Sequence, residues 1–293
     1  MPSETFLLDT FAVTARDIAD ADVNLLLALS VGVGWSHRAE DWEFMREVGR
    51  GLVAMDEGGR VHGVAMWFPF GEKCATIGML ITTPRLQAHG GAQWLMRHVL
   101  EETNGRALGL HATSESHRLF LSLGFKDEGL IYRREGHVGD LPKMPPTGDA
   151  ELREFSHSDL SAIRKLDRTA TGWDRPALID ALVARSRGMV LSRSGKVEAV
   201  ALMRPFGRGM VVGPIIAGSE EDALRVLHPL VAAQNGRFLR IDLWDDKSRL
   251  AAFAERCGLS VAETGTRMSL GKPWPVSTGA VPSLFAPASQ ATG

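Results

Sequence analysis

The sequence predicts an α/β (α+β) protein built from two consecutive copies of one layered domain, each with a mixed sheet flanked by helices. Three observations lead to this prediction. A segment recurs at an offset of about 136 residues, strand and helix patterns alternate within each copy, and a Gly- and Pro-rich stretch separates the copies. The 293 residues also suit two domains of roughly 130–150 residues better than a single core.

The repeat is clearest in two segments that end in the same Pro-Phe-Gly. Residues 61–71 read VHGVAMWFPFG and residues 197–207 read VEAVALMRPFG, so six of eleven positions are identical. Two further pairs keep the same order at nearly the same offset: Gly34-Trp35 with Gly172-Trp173, and Ile77-Gly78 with Val212-Gly213. Short hairpins with similar turn residues are the alternative explanation, but the preserved order favours a duplicated domain.

The repeat and the composition predict the domain boundaries. We expect an N-terminal domain over residues 10–137, a linker over 138–150 and a C-terminal domain over 151–274. The linker is rich in Gly, Pro and polar residues, which suits a connection between domains. Residues 275–293 consist largely of small residues and Pro, which predicts a poorly ordered tail or a strap across the surface.

The elements of the first copy follow from the spacing of its apolar residues. A short opening strand leads to a Leu-rich helix and a second helix, and then alternating apolar and small residues indicate strands. A mostly apolar run suits a buried strand, and later helices show apolar residues at helical spacing or end at a glycine. The predicted strands are 11–16, 51–56, 61–70, 75–82, 106–112 and one including 130–134; the predicted helices are 21–30, 39–49, 91–103 and 115–123.

Composition and charge restrict the function classes. Thirty-three basic against 35 acidic residues leave a net charge of −2, so no overall field favours nucleic acid or an anionic membrane. Only two cysteines are present, without a Cys/His cluster typical of zinc, and no apolar run of about 18 residues suits a membrane span. We therefore expect a cytoplasmic monomer or homodimer with no metal and with no nucleic-acid or membrane partner.

The stretch from Ile81 to Leu100 predicts an anion-binding site. A buried strand ends at Thr82, a turn containing Pro84 follows, and small residues precede an amphipathic helix. Free N–H groups at a helix N-terminus attract a phosphate, and small side chains let it approach the backbone. No carboxylate occurs in this stretch. A Gly-Gly turn that merely caps an ordinary helix is the alternative reading of this loop.

The loop resembles a known family signature. Gln87-x-x-Gly90-x-Ala92 is similar to the Gln/Arg-x-x-Gly-x-Gly/Ala motif of the GNAT superfamily of acyl-CoA-dependent N-acetyltransferases, and residues 119–125, LFLSLGF, resemble its C-terminal segment. The likeness covers roughly residues 10–135, and residues 150–272 resemble the degenerate second half of tandem GNAT proteins. It implies two tandem GNAT-like domains, each with a mixed, mostly antiparallel sheet flanked by helices, and acetyl-CoA (CoA) as the cofactor.

The resemblance also implies which residues hold the cofactor. Backbone groups of Leu80, Ile81 and Thr82 would pair with the pantetheine arm and the thioester, and loop N–H groups would hold the pyrophosphate. The loop residues so implied are Gln87, Ala88, His89, Gly90, Gly91, Ala92 and Gln93, and further contacts fall at Thr113, Ser116 and Phe120. His89 is expected to contact phosphate or solvent rather than to take part in chemistry.

The second copy departs from this pattern at the matching place. Gly218-Ser219-Glu220-Glu221-Asp222 predicts a capping box, in which the side chains use the free N–H groups and present three carboxylates. A like charge at short range disfavours a phosphate by on the order of 1 kcal/mol or more. We therefore predict that the C-terminal copy does not bind CoA and instead supports the structure or walls the acceptor pocket.

The catalytic groups are harder to assign. The family usually places a tyrosine as general acid where this chain has Phe120, so either the thiolate leaves unassisted or another group donates a proton. The candidates are Tyr132, the only tyrosine, and Ser116. His111 lies on the strand that the resemblance places beside the thioester, and it is the candidate base. A structural role is the alternative for each of these three residues.

For the acceptor, the sequence offers aromatic and acidic residues in the helix–loop–helix region, which suit a cationic amine. The candidates are Trp35, Glu40, Asp41 and Trp67, with Trp173, Trp244, Asp242 and Asp245 as further possibilities. We expect an N-acetyltransferase that transfers an acetyl group to a primary amine of a small molecule by direct attack in a ternary complex. The alternatives are an impaired acyl-CoA-binding or sensing protein, and a peptide or protein N-acetyltransferase.

Overall fold

The computed structural model describes residues 5–8, 11–144, 148–272 and 282–293. Its described strands form one continuous, mostly antiparallel sheet with helices packed against it, which confirms the predicted mixed α/β class. No helix in these ranges is both long enough and apolar enough to cross a lipid bilayer. The two halves follow the same element order, as the internal repeat predicts.

In the described residues, the first half contains seven strands and five α-helices. The strands are β1 (Thr5–Leu8), β2 (Phe11–Asp17), β3 (Arg50–Asp56), β4 (Val61–Phe70), β5 (Cys74–Thr82), β6 (Ala107–Ala112) and β7 (Lys126–His137). The helices are α1 (Val23–Gly32), α2 (Ala39–Val48), the short α3 (Pro84–Ala88), α4 (Gly91–Glu102) and α5 (His117–Ser122). The predicted elements agree with these bounds within a few residues, except that β1 and α3 were not predicted.

In the described residues, the second half repeats this order without counterparts of β1 and α3, and it ends in one added strand. Its strands are β8 (Glu151–Glu154), β9 (Arg187–Arg193), β10 (Lys196–Phe206), β11 (Gly209–Ala217), β12 (Phe238–Leu243), β13 (Ser260–Leu270) and β14 (Ser283–Ala286). Its helices are α6 (Leu160–Thr171), α7 (Pro176–Arg185), α8 (Glu220–Ala232) and α9 (Arg249–Arg256). No counterpart of α3 separates β11 from α8, because only two residues lie between them.

The two halves exchange their last long strands. The sheet order is β1-β2-β3-β4-β5-β6-β13-β7-β12-β11-β10-β9-β8, so β13 of the second half lies between β6 and β7 of the first. The strand β7 in turn pairs with β12, matching Tyr132 with Leu243 and His137 with Phe238. The domain bounds 10–137 and 151–274 stay a prediction from the sequence, while the hydrogen-bonded sheet is shared between the two halves.

The end of the chain differs from the prediction. The sequence predicts a poorly ordered tail or a surface strap over residues 275–293, but the described part, residues 282–293, is mostly buried. Strand β14 pairs with β11, and the following residues cross the sheet toward the first half, where the Oγ1 of Thr76 donates to the carbonyl of Ala291 at 3.0 Å. Small residues allow this close packing, because a Cβ on Gly78 would lie 2.8 Å from the Cβ of Ala291.

The core joins the halves as tightly as the sheet does. One apolar cluster contains Trp42 and Phe68 of the first half together with Ile163 and Leu182 of the second, all fully buried. Burial of such side chains contributes about 1.5–3 kcal/mol each. Helix α2 packs against α7, so the helices that follow the opening strands of the two halves lie on the same side of the sheet.

Candidate active site

Strands β5 and β6 diverge and leave a slot in the first half. They pair in parallel over four residues only, from Cys74 with Ala107 to Ile77 with Leu110. Beyond that point β5 shifts its register against β4, and Met79 adopts a positive φ of 55°. The edge of β5 from Leu80 to Thr82 that faces β6 consequently pairs with no described strand. An extended ligand can bind along this edge by backbone hydrogen bonds.

The loop after β5 ends in a bare helix N-terminus. Several of its N–H groups are used locally by α3, including those of His89 and Gly90, which donate to Leu86 and Gln87. Helix α4 begins after Gly90 with no side-chain cap and no acidic residue in its first turn. The N–H groups of Gly91, Ala92 and Gln93 have no partner among the described residues. They form a site for an anion, strengthened by the helix dipole.

Two adjacent glycines shape this anion site for different reasons. Gly90 has φ of 81°, a left-handed conformation that few other residues adopt, and open space surrounds it. Gly91 is buried where α3 meets α4, because a Cβ there would lie 2.2 Å from the Cγ of Leu86. Gln87, Ala88 and His89 are exposed beside them, and the His89 ring bonds the carbonyl of Arg85 at 2.9 Å.

In the second half the equivalent anion site is closed. The Oγ of Ser219 accepts from the N–H of Asp222 at 3.1 Å, and three carboxylates occupy the first turn of α8. Asp222 also pairs with Arg193 and Arg225 at 2.8 and 2.9 Å. Burial alone would raise the pKa of Asp222, but these two arginines lower it overall, so the carboxylate stays charged. Electrostatic repulsion disfavours a phosphate at this helix end.

The equivalent slot in the second half is filled by the chain itself. Strands β11 and β12 pair in parallel from Met210 with Leu239 to Val212 with Ile241, and then β14 pairs with β11 instead. Residues Ile215–Ala217, which β14 covers, are the repeat counterparts of Leu80–Thr82. A Cβ on Gly213 would lie 2.0 Å from the carbonyl oxygen of Pro287, so the glycine allows the chain to pass.

A large cleft opens between the halves beside the β5–β6 slot. Its empty volume is about 1180 Å³, including its open mouth. One wall is formed by the bend in β5, by His111 on β6 and Thr113 just after that strand, and by the α1–α2 loop. The other wall is formed by residues of the second half and by the final segment, residues 282–293. The lining residues include Trp35, His37, Met79, His111, Arg204, Phe206, Arg240 and Gln290.

His111 lies at the slot end of this cleft. Its Nδ1 bonds the carbonyl of Gln290 at 2.6 Å, so Nδ1 carries the proton and Nε2 has the lone pair. Burial lowers the pKa of His111 to about 4, although the bond to Gln290 and the charge of Asp242 act in the opposite direction. The Trp244 ring packs 5.3 Å from the imidazole. His111 is therefore neutral at physiological pH and held in one tautomer.

Several cleft residues were not identified from the sequence, among them His37, Arg204 and Gln290. His37 lies among the Trp35, Trp42 and Phe206 rings, and burial lowers its pKa to about 4. The loop with Gly34 and Trp35 indicated that this region lines the acceptor site. The spacing of apolar residues, however, does not distinguish a histidine in a cleft from one on the surface.

The structure separates some predicted catalytic residues from the cleft. Tyr132 alternates with Arg133 along β7, and Arg133 lines the cleft, so Tyr132 lies on the opposite face of the sheet. Phe120 is buried against Phe125 at 5.6 Å and offers no proton. The Oγ of Ser116 closes the turn before α5 through bonds to Thr113. Thr113 itself lines the cleft, and His111 is the predicted catalytic residue that lies in it.

The predicted acceptor residues are divided in the same way. Trp35 lines the cleft, whereas Trp67 is 5% exposed within the first-half core. Asp41 is buried and structural, since it accepts from the N–H groups of Arg38 and Gly207, each at 2.9 Å. Glu40 is exposed and does not line the cleft. Glu40 and Asp41 therefore do not give the cleft an acidic helix N-terminus that could bind a cationic amine.

Comparison with known proteins agrees with the fold. Residues 28–125 match the acetyltransferase (GNAT) family and residues 163–281 match an acetyltransferase (GNAT) domain. The uncharacterized N-acetyltransferase YitH of Bacillus subtilis is 26% identical over 275 residues, which cover 92% of this chain and 95% of that protein.

Solved structures show the same architecture over nearly the whole chain. A candidate acetyltransferase from Pyrococcus horikoshii superposes with a TM-score of 0.79 at 19% identity, covering 99% of both chains. A tandem GNAT protein from the clavulanic acid biosynthesis pathway superposes with a TM-score of 0.63 at 14% identity, covering 89% of this chain and 99% of the other. With its two matched repeats, this chain belongs to the GNAT acyltransferases and carries two GNAT domains in tandem.

Proposed function

We propose that this protein transfers an acetyl group from acetyl-CoA to a primary amine of a small molecule, and that only the first half binds the cofactor. The observation that carries the proposal is the asymmetry of the two slots. The β5 edge and the α4 N-terminus are both open in the first half, whereas β14 and a capped, acidic helix close their counterparts in the second.

The open residues of the first half fit a CoA-like ligand. The unpaired edge Leu80–Thr82 suits the amide-containing pantetheine arm, and the N–H groups of Gly91, Ala92 and Gln93 suit its pyrophosphate. A bound acetyl-CoA supplies the activated acyl group and a thiolate leaving group. The chain itself would position the amine against the thioester, and the cleft walls would exclude water. An N–H of β5 near the bend at Met79 would donate a hydrogen bond to the oxyanion.

His111 is the residue best placed to handle the acceptor's proton. Its fixed tautomer directs the Nε2 lone pair away from Gln290, so Nε2 is the atom that would take a proton from the attacking amine. Burial, which lowers the pKa of His111 to about 4, makes it a weaker base than a free imidazole. No tyrosine lines the described cleft to replace the missing acid at Phe120, and the one buried hydroxyl in its lining, that of Ser289, is bonded to Thr292. We therefore propose that the thiolate leaves without a dedicated acid, which its free pKa of about 8.5 permits.

The shape and charge of the cleft favour a small acceptor. The final segment walls one side, and the polar lining mixes arginines with glutamates rather than forming an acidic groove. An open acidic groove is what a basic peptide acceptor would need.

Turnover assays test the proposal. Purified protein with acetyl-CoA and a panel of primary amines should release free CoA in an amine-dependent manner. His111→Gln should lower kcat by about 100-fold, because it removes the base, while leaving acetyl-CoA affinity unchanged. Cofactor binding without amine-dependent turnover on any panel member would instead support a sensing protein.

A further inference from the structure

Arg204 is a buried cation on the second-half wall of the cleft. The residue is 3% exposed, and its guanidinium lies over the Phe44 and Phe206 rings, 5.0 Å from each ring centre. Its Nη2 donates to the carbonyl of Ala288 at 3.3 Å, while its buried Nε has no hydrogen-bond partner. Because the rings cover its faces, its in-plane N–H groups are what remain for another partner.

The nearby carboxylates are already engaged elsewhere. Asp41 caps α2 and bonds the Gly207 N–H, and Asp242 is paired in bidentate fashion with Arg240 at 3.1 and 2.8 Å. Neither forms an ion pair with Arg204, and the described chain offers it no other acidic partner. Burial lowers the pKa of Arg204 to about 10, so it is still charged at neutral pH. A buried charge left without a counterion is costly.

The final segment links Arg204 to the slot end of the cleft. The carbonyl of Ala288 accepts from Arg204, and the carbonyl of Gln290, two residues further on, accepts from His111. Two residues of fully extended chain span about 7 Å, so the guanidinium and the imidazole lie at most roughly 13 Å apart. Both groups line the same cleft, and one small molecule can therefore reach both.

We propose, resting on the proposed acetyl transfer, that the acceptor is an amine that also carries a carboxylate, and that Arg204 binds this carboxylate. A guanidinium presents parallel N–H groups that match a carboxylate in bidentate fashion. The bound anion supplies the missing counterion, while the amine lies toward His111. A neutral amine of the same length leaves Arg204 without a partner and is selected against.

Calorimetry with the full chain tests the inference without the cofactor. The probes are amino acids whose amine and carboxylate are separated by about one to seven methylenes, each compared with its methyl amide. Wild-type protein should bind at least one acid about 10-fold or more tightly than its amide, because hydrogen bonds to charged groups are worth that factor. Arg204→Met should abolish this preference. Arg168→Met, which removes an exposed arginine on α6, is the matched control and should preserve it.

Two further measurements distinguish a role of Arg204 in acceptor binding from a role in the stability of the fold. Arg204→Met should keep or raise the thermal midpoint of the free protein, since it replaces an uncompensated buried charge with an apolar side chain of similar length. It should leave the acetyl-CoA affinity unchanged. Equal binding of acids and amides by the wild type, or binding of neither, would overturn the inference, as would an Arg204→Met variant that retains the preference or that weakens acetyl-CoA binding. Failure of acetyl-CoA to bind the wild type would instead sink the proposed transfer.

Discussion

At the scale of single residues, burial fixes the protonation of the cleft. His37 and His111 both carry a pKa near 4 because they are removed from water, although neighbouring Asp41 and Asp242 respectively oppose the shift. Both rings are therefore neutral at pH 7, and the Gln290 carbonyl selects the tautomer of His111. Burial therefore keeps both rings uncharged at neutral pH, and it lowers their proton affinity at the same time.

The lowered pKa values predict a defined pH dependence of stability. In the unfolded chain these histidines gain protons below pH about 6.5, whereas in the folded protein they stay neutral until about pH 4. Between these values the unfolded state binds more protons, so the free energy of unfolding falls as pH falls. The loss at pH 5 is on the order of 2 kcal/mol per histidine, reduced by partial solvent access.

Urea unfolding at pH 7 and pH 5 measures this effect. The double variant His37→Gln with His111→Gln should flatten the slope between these pH values. Asp56 and Asp222 have lowered pKa values, so the stability they contribute is lost mainly below pH 4, outside the measured interval. A slope as steep in the double variant as in the wild type would show that other groups are responsible.

At the scale of elements, the proposed cofactor site depends on how closely α3 approaches α4. Gly91 allows that contact, and α4 then starts with three bare N–H groups. In the second half the chain passes from β11 to α8 without an equivalent of α3, and Ser219 caps the helix. At this place the two halves thus differ by one short helix and by one side-chain N-cap with its acidic first turn, and we expect these differences to decide which helix end accepts an anion.

Gly91→Ala tests this packing. The added methyl group would overlap Leu86, so we expect a loss of about 1–3 kcal/mol in the free energy of unfolding, together with weaker CoA binding. Gly32→Ala in α1 is the matched control, because nothing lies within 4 Å of its Cβ position. It should be neutral or stabilising by up to about 1 kcal/mol. Equal effects of the two substitutions in urea unfolding would contradict this account of Gly91.

At the scale of the whole molecule, the halves are joined through exchanged strands. Strand β13 completes the sheet of the first half beside β6, and β7 does the same beside β12 in the second. The final segment then crosses both halves, passing Gly213 and Gly78. Its strand β14 pairs with the edge of β11 that corresponds to the open edge of β5. The carbonyl of Ala288 accepts from Arg204, and the carbonyl of Gln290 accepts from His111.

The sequence predicts the local elements well and the long-range ones poorly. Apolar periodicity located α4 and β5 within a residue or two, and the N-cap at Ser219 was identified because its signal is local. The return bond of a capping box is not formed, because the Asp222 carboxylate pairs with Arg193 and Arg225 instead. The placement of β14 depends on contacts with β11 far away along the chain, and its small residues carry no pattern of their own.

The candidate site was also predictable only where its residues belong to a local sequence signal. The anion loop follows from local glycines and the absence of acids, and the resemblance pointed to His111. Arg204 follows Met203 and precedes Pro205 in a strand, where nothing local distinguishes a buried arginine from an edge residue. Tyr132 does not line the cleft, because its neighbour Arg133 does and successive side chains of a strand point to opposite faces; its catalytic role stays a prediction.

The most direct test of the account is calorimetric titration of CoA into three proteins. Ala92→Glu places a carboxylate among the N–H groups of α4, where a helix start tolerates an acid, so the protein should fold but lose at least about 10-fold in CoA affinity. Gly218→Glu adds a carboxylate just before the Ser219 N-cap of α8 and should bind one CoA per chain as tightly as the wild type. Two CoA molecules per wild-type chain, or equal loss from both substitutions, would contradict the asymmetry of the two halves.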